Sequence, residues 1–173
     1  FNFLNNKAKI KELSFILNKS SEKITLKNVT NYCTPSILRK FSAPVIVKSD
    51  LDFNNHIKLY KYDTDYFNRW FSGQYLFSEL IIKKNIHSKV FKTIFKETIN
   101  ASSYIFKDNS ISLSLKSNLL SLPSISFIEQ KSMNISPSDI NDQRNSFGKS
   151  IFKNLLKFNR KKLLSFEYYN KNI

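Results

Sequence analysis

The residues able to do chemistry are few and scattered. His56 and His87 are the only histidines among 173 residues, and Cys33 is the only cysteine. Asp63 and Asp65, in "YDTDY", form a close carboxylate pair. A metal-dependent nuclease would need further acids and usually a base beside such a pair. Helix capping is the simpler role for it. A single cysteine allows neither an internal disulfide nor a cysteine-based zinc site, and reads as a small core residue. Gly73 and Gly148 stand apart from each other, so no glycine-rich loop is present to cradle phosphates. The expectation is a protein that is not an enzyme, with no cofactor and no resident metal.

What the chain has instead is positive charge. Lys and Arg number 28 against 13 Asp and Glu, a formal net charge of +15. Charge of that size opposes compaction unless a polyanion balances it. Nucleic acid is the first partner this suggests and an anionic membrane the second, with solvated lysines as the plain alternative. No apolar run reaches the ~18 residues of a membrane span. Arginine occurs only at 39, 69, 144 and 160, and alanine only at 8, 43 and 101. The excess of Lys, Asn, Ile and Phe fits an AT-rich, organellar genome, so each surviving Arg and Gly carries more information than usual.

The sharpest feature is a row of lysines. In "SPSDINDQRNSFGKSIFKNLLKF" Phe147, Ile151, Leu155 and Phe158 step by four, four and three and share one helical face. Lys149 lies about 200° round from Phe147 at about 100° per residue, so Lys149, Lys153 and Lys157 lie opposite that face. Arg160, Lys161 and Lys162 continue the basic edge. Arg144 has a planar fork that can hold two phosphate oxygens, or pair with Asp142 or Asp139.

The elements that would position these residues divide the chain in two. Residues 1–75 read as an irregular extension. It has a short amphipathic helix in "NNKAKIKELSFILNKS", a connector with a strand at Val45 to Val47, and the cluster Tyr66, Phe67, Trp70 and Phe71 docked on the core. Residues 76–173 read as the core. "LFSELIIKK" suggests a strand. "SKVFKTIFKETINASSY" suggests a helix near 88–103. "SISLSLKS" alternates apolar and polar residues and suggests a strand over 110–116. "SISFIEQKSMNI" suggests its hairpin partner. A helix near 144–158, capped by Asp142, and a strand in "KKLLSFEYY" complete the order strand, helix, strand, strand, helix, strand. That order is the ferredoxin-like split βαβ arrangement, an antiparallel sheet with two helices on one face.

Within it, the stretch from Ser136 resembles the signature of the small-subunit ribosomal protein ten family. Ser136, Pro137, Asp142, Arg144, Phe147, Lys153, Leu155 and Leu156 fall on the family's positions without a gap, and Leu122 and Pro123 match its Leu-Pro step. "LIIKKNIHSKVFKTIFKETI" is similar to its first strand and helix. Ser138, Asn141 and Gly148 depart from it, and His87 stands near its Asp. The resemblance covers residues 76–169. It implies a structural protein in the head of the small subunit of a mitochondrial matrix ribosome, with ribosomal RNA and neighbouring ribosomal proteins as partners. The RNA-binding residues would be Lys131, Ser136, Arg144, Lys149, Lys153, Lys157, Arg160, Lys161 and Lys162. The alternative is an accessory scaffold subunit of an organellar membrane complex, without RNA.

Overall fold

Serine starts most of the helices of this chain. Ser88, Ser112 and Ser124 each have extended backbone and accept a hydrogen bond on the side-chain oxygen from the amide three residues on, at 3.0, 3.3 and 3.2 Å. Ser136 does the same for Asp139 at 3.2 Å, with Pro137 at the first helical position. Each hydroxyl satisfies an amide that the helix cannot, and a proline at that position has no amide to leave unpaired. Asp52 caps a further helix through Asn55 at 2.8 Å.

The structure, a computed structural model, describes residues 2–4, 13–14, 16, 18–25, 33–43, 45, 47–83, 88–132 and 135–170, with the side chains of 2–4, 41 and 158–170 outside the description. Among the described residues the helices are α1 (Phe53–Tyr62), α2 (Tyr66–Ile82), α3 (Lys89–Lys107), α4 (Leu113–Leu120), α5 (Ile125–Glu129) and α6 (Pro137–Asn170). The strands β1 (Asn2–Leu4) and β2 (Thr34–Ser36) form one antiparallel pair with Phe3 opposite Pro35. The chain divides into two compact units, Phe1–Ser72 and Gly73–Ile173.

The expected ferredoxin-like sheet is not there. "SISLSLKS" holds the start of α4, whose buried positions Lys116 and Leu119 are three residues apart, a helical and not an alternating spacing. Leu113 is 74% exposed. Of the three apolar residues in the alternation only Ile111 is β-branched. Leucine favours helix, and Ser112, read as an outward strand position, is the cap. "LFSELII" belongs to α2, where Leu76, Phe77, Ser78, Leu80 and Ile81 are all buried. A helix apolar on nearly all sides looks like a buried strand when only its end is read. "SISFIEQKSMNI" gives α5 behind its Ser124 cap, and "KKLLSFEYY" continues α6.

The irregular extension expected over 1–75 carries α1 and the first turns of α2. Val45 and Val47 lie in no strand, and Ile46 falls outside the described residues. Of the helix expected in 5–20, residues 13, 14, 16 and 18–20 are described and are not helical; the others fall outside the description.

In the second unit, α6 packs on α3 and α5, and α3 on α4. Phe147 of α6 meets Phe77 of α2 and Phe95 of α3 edge-on, at ring-centroid distances of 5.9 and 6.0 Å. Ile105, Leu119, Ile128 and Ile140 complete a fully buried centre. Edge-to-face rings add about 1 kcal/mol each beyond the area they bury.

Candidate functional site

Three places in the chain concentrate unusual side chains. The first, in the unit of residues 1–72, surrounds Arg39. Its guanidinium reaches Asp63 Oδ1 at 2.6 Å, Thr64 Oγ1 at 2.6 Å and Ser36 Oγ at 3.0 Å, and the Asp63 side chain is fully buried. Asp63 also accepts from the Asp65 amide at 2.9 Å, and Asp65 accepts from the amides of Lys40 and Asn68 at 2.9 and 3.0 Å. Two non-glycine residues here, Leu38 and Lys40, have φ of 49° and 55°. Such backbone costs about 1–3 kcal/mol per residue and persists only where its surroundings hold it. The Asp63–Asp65 pair supplies that hold, together with Asn68 Nδ2 on the Ile37 carbonyl at 2.9 Å. The pair is therefore a backbone clamp, with Asp65 also capping the first turn of α2.

The second place, in the same unit, is an apolar cavity of about 280 Å³ lined among others by Leu38, His56, Leu59, Phe67, Phe71 and Ser72. His56 is buried, with Nδ1 3.4 Å from Ser72 Oγ. That is longer than the roughly 2.6–3.2 Å through which a nucleophile and its base act. Two rings of the aromatic cluster, Phe67 and Phe71, line this cavity; Tyr66 is 49% and Phe71 40% exposed, and Phe67 lies 5.8 Å from Trp70. No group of three or more His, Cys, Asp and Glu able to hold a metal occurs among the described residues.

The third place, in the unit of residues 73–173, is a groove formed by α3, α4 and α6. It encloses about 430 Å³ and is lined by Phe106, Leu120, Leu122, Ile151, Phe152 and Leu155, among others. Gly148 forms part of its wall; a β-carbon there would come within 2.8 Å of Leu122 Cδ1. Phe152 is 64% exposed.

Of the nine basic and polar residues singled out in the sequence, six have described side chains, and the structure does not gather them in one place. Lys149, Lys153 and Lys157 are exposed along α6, and Phe147 and Ile151 are buried on another side of the helix. Arg144 points elsewhere: its Nε donates to the Pro123 carbonyl at 2.7 Å. With Gln74 Nε2 on the Ser121 carbonyl at 2.9 Å, it clamps the link between α4 and α5. Ser136 is the α6 cap and also bonds Asp139 Oδ2 at 2.8 Å. Lys131 lays its ammonium over Tyr75 and Phe127, 4.0 and 5.3 Å from the ring centroids. Desolvation there lowers its pKa, and Glu79 partly offsets the shift. Burial raises the Tyr75 pKa, helped by Glu79 and opposed by Lys83. The side chains of Arg160, Lys161 and Lys162 lie outside the described residues.

The surviving arginines are informative, though not as phosphate forks. Arg39 holds a carboxylate, Arg144 a carbonyl, and Arg69 the Tyr60 and Lys61 carbonyls at the end of α1, at 3.1 and 3.2 Å. The groove residue Phe152 escaped the sequence reading, and Leu156 entered it only through the family resemblance. Their signal was present: Ile151–Phe152 and Leu155–Leu156 are adjacent apolar pairs, which widen the apolar stripe of α6 beyond one core face.

A short, closely packed series of helices carrying a groove is the build of a helical repeat, and residues 54–165 match a family model described as "Domain of unknown function (DUF3458_C) ARM repeats". The chain belongs to this DUF3458_C family. ARM repeats stack helices so that neighbours bury one continuous core. A solved structure, Legionella pneumophila aminopeptidase A in complex with aspartic acid, has the same fold: the TM-score is 0.70 at 24% identity, over 90% of this chain and 19% of that one. The chain thus spans about a fifth of the length of that relative.

Membership in the DUF3458_C family overturns the ribosomal resemblance and, with it, ribosomal RNA and ribosomal proteins as partners. The accessory-subunit alternative has no support either. The resemblance failed because its strongest residues mark something general. Ser136, Pro137 and Asp139 are what many helix starts select, and Arg144 and Phe147 are held by local packing. No described helix is long and apolar enough to cross a membrane.

Proposed function

We propose that this chain is the helical repeat domain of an aminopeptidase-type protein, in which it supports and binds other protein surfaces and does not supply the reacting groups. The observation that carries this reading is the fold match, which takes in 90% of this chain yet only 19% of the aminopeptidase chain. The side chains agree with it. Asp63 and Asp65 hold backbone amides, and the three described arginines hold a carboxylate or carbonyls. Opening a peptide bond calls for an activated nucleophile or water beside an acid–base group. The His56–Ser72 contact is the nearest approach to one among the described residues, and it is long.

The test uses aminoacyl-coumarin amides as substrates for the 173-residue chain and for the full-length gene product. The expected result is no release of coumarin by the chain and steady release by the gene product or the complex it enters. Turnover by the chain would overturn its supporting role. Absence of turnover from every form would overturn the aminopeptidase assignment.

A further inference from the structure

The groove of the second unit and the lysine row lie side by side on α6. On a helix of about 100° per residue, Ile151, Gly148, Phe152 and Leu156 span one sector. Lys149 begins the next sector, and Lys153 and Lys157 follow it, on the side away from Phe147 and Ile140. The sequence from Gln143 to Lys157 contains no acidic residue. Lys149, Lys153 and Lys157 are exposed and form no ion pair among the described residues. Among the described residues an apolar trough therefore runs beside one cationic bank.

We propose that this groove receives an acidic amphipathic helix from a partner polypeptide. The inference rests on the repeat fold and the groove, not on the aminopeptidase reading. A helical repeat cannot bury its apolar face alone, so a trough along its helices is the place for another helix. From Gly148 to Leu156 the floor runs about 12 Å, room for two or three anchors at i, i+3 or i+4, and i+7. Charge complementarity fixes the rest. Three cations spaced four residues apart call for carboxylates along one flank of the incoming helix. A second copy of this chain does not fit, because its own α6 would bring a further lysine row against the first. Neither does a basic or neutral helix, which would leave the bank unopposed.

The experiment displays helices of about 18 residues, with a fixed leucine stripe and flanks randomised among Glu, Gln and Lys, and pans them on the 173-residue chain at about 0.1 M salt. The expected outcome is enrichment of Glu on one flank. Purified binders should lose affinity about tenfold on the triple change Lys149→Gln, Lys153→Gln, Lys157→Gln, with a flatter salt dependence. Phe152→Ser should weaken them by a similar factor with the salt dependence unchanged. All four positions are exposed, and far-UV circular dichroism verifies that the variants fold. Enrichment of Gln or Lys flanks, binding indifferent to both variants, or no enrichment at all overturns the proposal. So does capture by phosphatidylglycerol vesicles when no peptide is enriched, which would mark the bank as a membrane contact.

Discussion

The two units of this chain are held by opposite means. Residues 1–72 are organised around a buried ion pair, Arg39 with Asp63, and a net of hydrogen bonds to backbone in the left-handed region at Leu38 and Lys40. Residues 73–173 are organised around apolar side chains, with Phe147 wedged against Phe77 and Phe95 and serines closing the helix ends. The difference teaches what each kind of chemistry can specify. Apolar packing tolerates any helix that presents the right face. A polar net fixes an irregular loop in one shape, because its hydrogen bonds are directional and breaking one strands a buried group.

The comparison breaks most visibly in a pair of truncations. Asp63→Ala leaves Arg39 buried without its carboxylate and should cost about 3–5 kcal/mol, and Phe147→Ala should cost a similar amount by opening a cavity. Urea unfolding measures both. What separates them is rescue. Replacing both partners, Arg39→Met with Asp63→Leu, should return stability to within about 2 kcal/mol of the parent, since no charge is then stranded. If the double change is as damaging as Asp63→Ala, the loss comes from the backbone clamp itself and not from a stranded Arg39 charge.

A smaller effect sharpens the same contrast inside the second unit, where Lys131 is a charge among rings. Its pKa lies below the ordinary lysine value of 10.5, so the folded state releases that proton first and stability rises as pH climbs toward that value. Tyr75 works the other way. Its pKa lies above 10.0, so the folded state keeps the proton longer and stability falls once the unfolded tyrosine ionises. In Lys131→Gln only the tyrosine contribution remains, and the urea midpoint should fall more steeply with alkaline pH than in the parent. Parallel curves would show that the Lys131 ammonium is not desolvated by the rings.

How much of this was legible beforehand follows from the same physics. The helix at α3 and the exposed lysine row of α6 announced themselves through a 3.6-residue period, which depends only on neighbours along the chain. Even there the period misled at one end, since Val90 shares the apolar face yet is 67% exposed. The strands failed because serine is ambiguous. Ser112 and Ser124 fit an alternating strand as well as a helix cap, and the choice is made by whether a partner strand exists. Of the carboxylates weighed as caps, Asp65 caps the first turn of α2, whereas Asp63 takes Arg39 and the Asp65 amide. Arg39, 24 residues from Asp63, had no signal in spacing. The groove was hidden for the same reason: Leu120 and Leu122 meet α6 only after the chain has folded back.

The central claim is that residues 110–129, with their alternating serines, form capped helices of a repeat and not the hairpin of a sheet. Backbone chemical shifts of the isotope-labelled 173-residue chain test it directly. The account predicts helical Cα shifts over Leu113–Leu120 and Ile125–Glu129, with breaks at Ser112 and Ser124. Strand-like shifts across both segments, with cross-strand contacts between them, would contradict it.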